Sequence, residues 1–303
     1  MLTDSSIFSV HGDQELRDSL HGDLAFSPDR AGQYFLEGRT YSKPYAHDHR
    51  TRHQSRLSSA VEALDGSLIP TPGVEVSVGE IDYIITPEEM RRSALEGPHG
   101  PTLTRLERFV IDLVPWDATP NFEFGLTGSV GLGLARNDGR APHDWDLVIS
   151  SGLNDRSNIL AALQARCIDD PRVRVSEYGK GWLIRQWVEE SLLCPFFRDL
   201  TPTVTELQNI NPAMTSLEGV VVEAGNSAIV PIRLRVRDAK GQEVDAVVLG
   251  LRSRGDVRVG DLVRVDGHWC ELSVNGSEPI GAIVSTADAP RLLLAEPWTG
   301  FYA

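Results

Sequence analysis

The stretch TGSVGLGLARNDGRAPHDWDLVIS, residues 127–150, decides how this chain reads. From Asp144 to Ile149 it alternates polar and apolar residues, the period of a strand. On a strand, Asp144 and Asp146 are two apart, so both carboxylates leave the same face. Like charges side by side repel, and a hard divalent cation with oxygen ligands offsets the repulsion. Upstream, Gly128-Ser129 closes a strand-like run, Phe122 to Thr127, and leads into a Gly-rich turn. A glycine lets the backbone approach closely, and free N–H groups with a Ser hydroxyl can hold phosphates. Gly-Ser alone is most simply a turn, and Asp-x-Asp alone a solvated strand face. In this order and context, with fourteen residues between them, they are the equipment of phosphoryl or nucleotidyl transfer. Gly131-Leu132-Gly133 does not complete a G-x-G-x-x-G pattern, and no P-loop Lys follows.

Outward from this stretch the chain divides into blocks. Before it, Thr102 to Val114 places Leu103, Leu106, Phe109, Val110 and Leu113 at helical spacing. Thr86-Pro87-Glu88-Glu89 reads as a helix start, with Pro at the first turn and acids near the positive end of the dipole. Gly97 to Pro101 (GPHGP) punctuates the chain, and a boundary is expected there. The run GVEVSVGEIDYII, Gly73 to Ile85, reads as one or two strands. After the stretch, Asn154 and Asp155 can cap a helix that buries Ile159, Leu160, Leu163 and Cys167. Strand-like runs follow at Arg172–Val175, Trp182–Val188 and Leu192–Phe197. From about Thr201 the pattern is strand and turn: Leu217–Glu223, Ile229–Val236, a hairpin loop at Ala239–Gln242, then Val244–Leu249. The expectation is an α+β chain: an N-terminal α+β region over 1–98, a mixed sheet with helices over 99–200, and a small OB-like or SH3-like β-barrel over 201–303.

Composition narrows the function. The chain has 303 residues, with 43 acidic against 29 basic side chains, a formal net charge of −14. Phosphate binding by nucleic-acid readers is driven mainly by Lys and Arg, so nucleic acid is disfavoured as a general partner and small-molecule or nucleotide chemistry is favoured. Cys167, Cys194 and Cys270 are dispersed, without the spacing of a disulfide framework or a zinc ribbon. No apolar run approaches a membrane span, and the N-terminus lacks the pattern of a secretory signal. A cytoplasmic protein without membrane partners is expected.

The residues TGSVGLGL (127–134) and HDWDLVIS (143–150) resemble the core motif of the polymerase-beta-like nucleotidyltransferase superfamily: Gly-Ser, a spacer, then Asp-x-Asp flanked by apolar residues. The spacer is longer than usual, with ARNDGRAPH before the acids. The wider layout is similar to uncharacterised archaeal and bacterial chains assigned to that superfamily, in which a β-rich tail follows a hairpin like GWLIRQW. The resemblance implies that Gly128 and Ser129 contact the triphosphate and that Asp144 and Asp146 hold Mg²⁺, or Mn²⁺ in its place, in a two-metal site. It also implies a third carboxylate on a later strand, as general base for the acceptor. The strand expected to carry it, LLCPFF (192–197), has no acid. Cys194 occupies the slot, or Glu177, Glu189, Glu190 or Asp199 supplies the group, with Glu190 favoured.

Lys180, Arg185 and Arg198 border this region and are candidates to neutralise phosphates. His47, Asp48, His49 and His53 have a spacing that metal binding can use, though a polar loop explains them more simply. His143 precedes the acids as a loop residue. Arg233, Arg235 and Arg237 alternate on one strand, as a binding stripe or as an exposed face defended by charge. The expectation is a Mg²⁺-dependent nucleotidyltransferase that moves a nucleoside monophosphate from a nucleoside triphosphate to an acceptor hydroxyl, on a small molecule or protein rather than tRNA. The alternative is a catalytically degenerate nucleotidyltransferase fold whose barrel binds nucleic acid or a protein.

Overall fold

The computed structural model describes residues 1–10, 18–43, 58–114, 121–139, 144–177, 180–201, 203–250, 254–286 and 291–292. Strands β1 (Ile7–Val10), β2 (Ser19–Pro28), β3 (Tyr34–Leu36), β4 (Arg39–Ser42), β5 (Ser58–Glu62) and β6 (Leu68–Ser77) open the chain. Along β2, Leu20, Leu24 and Phe26 alternate inward. Leu24 joins Leu2, Val74 and Val76 in a core of its own. The run from Gly73 to Ile85 makes less strand than its alternation predicts: β6 stops at Ser77 and a 3-10 turn follows over Val78–Glu80. There the Ser77 N–H donates to the Glu80 carboxylate at 3.2 Å, a local bond that competes with a sheet ladder.

Next come helices α1 (Pro87–Glu96) and α2 (Gly100–Asp112), strand β7 (Phe122–Leu126), the one-turn helix α3 (Gly128–Gly131) and strand β8 (Ala135–Arg136). After them follow β9 (Asp144–Ser151), helix α4 (Leu153–Asp169), β10 (Arg174–Glu177), β11 (Lys180–Val188) and β12 (Ser191–Asp199). The expected helix start is present. Thr86 Oγ1 accepts from the Glu89 N–H at 3.2 Å and the Glu89 carboxylate accepts from the Thr86 N–H at 2.8 Å, with Pro87 in the first turn, so the orphan donors are satisfied reciprocally. The Gly97–Pro101 punctuation links α1 to α2, and both helices pack on one core with Leu126, Trp145, Leu147, Ile149, Ile159 and Leu163. Helix α4 is capped two residues before the first of its expected caps, Asn154. Its N-cap is Gly152, and Asp155 inside the first turn instead accepts from the Asn121 N–H at 3.0 Å. The sheet order is β10-β11-β12-β9-β7, with β9 and β12 parallel and the other neighbours antiparallel. Strand β8 leaves this sheet and extends the N-terminal one, whose order is β5-β6-β2-β4-β3-β8, with β1 on β2.

The remaining strands are β13 (Thr205–Gln208), β14 (Met214–Asn226), β15 (Ile232–Asp238), β16 (Glu243–Val248), β17 (Leu262–Val274), β18 (Ile280–Ser285) and β19 (Arg291–Leu292). β14, β15 and β16 form an antiparallel meander, β16 pairs in parallel with β18, and β18 pairs with β17, which pairs with β14. Leu217, Val221, Ile232, Leu234, Val236, Val263, Val265 and Ile283 fill its interior. Arg156 fastens this unit to the central sheet. Only 1% exposed, it donates to Asp199 at 2.7 Å, to the Gly225 carbonyl at 2.9 Å and to Asn226 at 2.6 Å. The chain is thus mixed α and β, mostly strand with few helices. No helix among the described residues is long and apolar enough to cross a membrane.

Candidate functional site

β9 lies between β12 and β7, and its last residues are buried on both faces. Only its first turn-side residues, Asp144 and Asp146, reach partial solvent, while Trp145 between them is 3% exposed and faces the core. The parallel register sets Leu192 beside Asp144 and Cys194 beside Asp146. Ligand-capable atoms of Asp144, Asp146 and Cys194 all lie within 4.8 Å of one another.

The Gly-Ser turn is packed directly onto these acids. The Thr127 N–H donates to the Asp146 carbonyl at 2.9 Å, and Gly131 and Leu132 close the turn onto the carbonyls of Thr127 and Gly128. Gly128 has φ of +67°, and a Cβ there would stand 1.9 Å from Asp146 Oδ2. Only glycine satisfies both the left-handed backbone and that contact. Ser129 follows at the head of α3, half-buried.

Electrostatics single out Asp146. Burial, and then the Asp144 charge, push its carboxyl up to about 6, with Lys43, Arg185 and Arg254 pulling the other way. Desolvation and a like charge both disfavour ionisation, and the three cations offset them only in part. Arg185, 8% exposed, donates to Asp144 at 3.2 Å and to the Cys194 sulfur at 3.0 Å. The Cys194 thiol donates to Asp144. Burial and both carboxylates hold its pKa well above the ordinary thiol range, so it stays protonated.

Of the residues singled out in the sequence, Gly128, Ser129, Asp144, Asp146, Arg185 and Cys194 meet here. Glu190 does not: it is exposed in the turn between β11 and β12, outside the Asp144–Asp146–Cys194 group. Glu189, beside it, pairs with Arg105 at 3.2 Å, and Asp199 with Arg156. Arg198 donates to Glu88 and, at 2.6 Å, to Ser150. Lys180 opens β11, but its side chain and that of Glu177 lie outside the described residues, as do His47, Asp48, His49, His53 and His143.

Two further cations bear on Asp146. Lys43 begins the charge-dense stretch 43–56 and follows β4; that composition is its only sequence signal. Arg254 lies between β16 and β17, over a hundred residues from the acids, and no local pattern marks it. Compared with protein-family models, with curated proteins and with solved structures, the chain matches none of them.

Proposed function

We propose that the chain is a Mg²⁺-dependent nucleotidyltransferase of the polymerase-beta-like kind. The observation that carries this reading is the pair Asp144 and Asp146 on one face of β9 with the Gly128 turn packed against Asp146. The donor set fits a hard cation: two carboxylates supply oxygen, and the raised pKa of Asp146 marks charge that a cation would relieve. A protonated Cys194 thiol is a poor ligand for Mg²⁺ and instead hydrogen-bonds Asp144. Asp144 and Asp146 would hold the metal, which when bound supplies positive charge against the phosphates. The Gly128–Ser129 backbone and the Ser129 hydroxyl hold the β- and γ-phosphates. Arg185 keeps Asp144 in place and adds positive charge. An acceptor hydroxyl would attack the α-phosphorus as the α–β phosphoanhydride bond breaks, pyrophosphate leaving and the hydroxyl proton passing to water.

The neighbouring units shape the acceptor side. The order β14-β15-β16-β18-β17, with β17 returning to β14, supports a small barrel, and the parallel β16–β18 pair favours the OB-like form. The net charge of −14 favours a small-molecule or protein acceptor over nucleic acid.

One observation favours a second reading. Cys194 stands beside Asp146 in register, on the strand where a third carboxylate is expected. This supports a degenerate module that binds the nucleotide without turning it over. Thermal shift with each ribonucleoside triphosphate, with and without Mg²⁺, run beside a pyrophosphate-release assay, separates the readings. Mg²⁺-dependent stabilisation with release is expected, both absent in Asp144→Asn/Asp146→Asn. Stabilisation without release on any acceptor supports the module, and no stabilisation overturns both.

A further inference from the structure

Residues Arg254 to Asp256 belong by sequence to the C-terminal unit but pack against the central one, while Val257 after them joins the C-terminal core. Arg254 is 7% exposed, Asp256 4% and Val257 0%. Gly255 has φ of +73° and lies so close to β11 that a Cβ would meet Ile184 Cδ1 at 2.5 Å. Its carbonyl accepts from Gln164 of α4 at 2.7 Å, its N–H donates to the Ser227 carbonyl at 2.8 Å, and Asp256 accepts from the Leu183 N–H at 3.3 Å. The segment is bolted to α4 and β11 from both sides.

What this rigid mount presents is one guanidinium. It stands 4.0 Å from the centroid of Phe196 and 5.7 Å from that of Trp182. Phe196 is two residues beyond Cys194 on β12, hence on the same face, and Cys194 is the register neighbour of Asp146. Arg254 therefore lies over the face of the sheet that carries the acids. Trp182 is shared, since Arg185 stacks on it at 5.3 Å. The Arg254 Nε is buried and has no hydrogen-bond partner among the described residues. An arginine stays charged even where burial is costly, and two buried guanidiniums beside one ring repel each other.

Arg185 and Arg254 stand beside the two carboxylates, and Lys43 adds a third cation near Asp146. When a divalent cation takes up the carboxylates, the balance tips positive, and a polyanion restores it. We propose that Arg254 is a phosphate-binding residue of the nucleotide site, delivered by the C-terminal unit to hold the donor's polyphosphate chain across the sheet from Gly128 and Ser129. This rests on the nucleotide-site reading above, and it makes the C-terminal unit part of the site rather than an appendage to it.

The test uses the full chain and inorganic tripolyphosphate with Mg²⁺, titrated calorimetrically, beside Mn²⁺ alone followed by electron paramagnetic resonance. Arg254→Met should bind tripolyphosphate roughly 10- to 100-fold more weakly, the loss of one charge-assisted hydrogen-bond donor set, while its Mn²⁺ affinity is unchanged or tighter. A merely structural rivet would not separate the two ligands in this way. Equal tripolyphosphate affinity in Arg254→Met and wild type overturns the proposal and leaves the nucleotide-site reading intact. Failure of the wild type to bind tripolyphosphate or any nucleoside triphosphate overturns both. If Arg254→Met does not fold, Arg254→Lys serves: it keeps the charge but loses the planar fork, so weaker binding supports the proposal and unchanged binding refutes it.

Discussion

Two strands of this chain carry like charges at alternate positions, and they meet opposite fates. On β15, Arg235 faces Asp245 and Glu223 across the ladder, at 3.3 and 3.0 Å, and Arg237 faces Glu243 at 2.6 Å. The register supplies an acid opposite Arg235 and Arg237, which is the sheet's own way of using charge, while Arg233, the third base of the strand, lies opposite Val247 and Asn226. On β9, the register supplies Leu192 opposite Asp144 and a protonated thiol opposite Asp146. Asp144 finds Arg185, but Asp146 stays raised toward neutrality. Alternating charge on a strand is therefore ambiguous until its neighbours are known: matched across the ladder it stabilises a surface, and unmatched it leaves a carboxyl pushed toward neutrality.

The comparison breaks most decisively at the acids. Asp144→Asn/Asp146→Asn should abolish Mg²⁺-dependent stabilisation by nucleoside triphosphate and lower pyrophosphate release by at least about 10²–10³-fold, measured by thermal shift and single-turnover release. Retained stabilisation would place β9 in the same class as β15. Next in size is Gly128→Ala. A left-handed φ on a non-glycine residue costs about 1–3 kcal/mol, and the added Cβ collides with Asp146, so both urea stability and nucleotide affinity should fall. A variant as stable as wild type would show that the turn is not pressed onto the acids.

Asp146→Asn alone sharpens the contrast through pH. Its folded pKa, about 6, lies above the ordinary 3.8. This contribution to stability is full below pH 4 and is lost as pH rises through 6. Without metal, Asp146→Asn should therefore gain on wild type between pH 4 and 7, by about 1–3 kcal/mol, and Mg²⁺ should restore wild type only. A gap that narrows with rising pH would reverse the sign of the argument. The smallest effect belongs to β15: Arg235→Ala should cost less than about 1 kcal/mol and leave nucleotide binding unchanged. A larger loss, or weakened nucleotide binding, would mean that β15 also serves the site.

Local features of this fold were legible where the physics is local. The capping box at Thr86, the helical stripe Leu103–Val110, the hairpin at Ala239–Gln242 and the alternation of β9 all follow from neighbours in sequence. The meeting of Gly128 with Asp146 was legible as spacing, though not as contact. What escaped reading depends on register and on distant chain. Cys194 was legible as one occupant of the third position among several, but its choice over Glu190 rests on a parallel pairing reached by way of α4, β10 and β11. Glu190, a plausible acid two residues before β12's Leu192, ends in an exposed turn because the β11–β12 hairpin is tight, pairing Val188 with Ser191. Arg254 arrives from another sheet altogether.

Arg156 sets a limit on how this protein can be divided. Its guanidinium is buried at the junction of α4, β12 and β14, with donors spent on Asp199, Gly225 and Asn226. A fragment ended near Thr201 would strip away Gly225 and Asn226, leave the guanidinium with Asp199 and the Ser151 carbonyl, and open to water the part of α4 on which Gly225 now rests. The cost lies in the apolar surface newly exposed around Arg156, about 25 cal/mol for each Å². Anyone wishing to express the central sheet by itself must first resurface this junction.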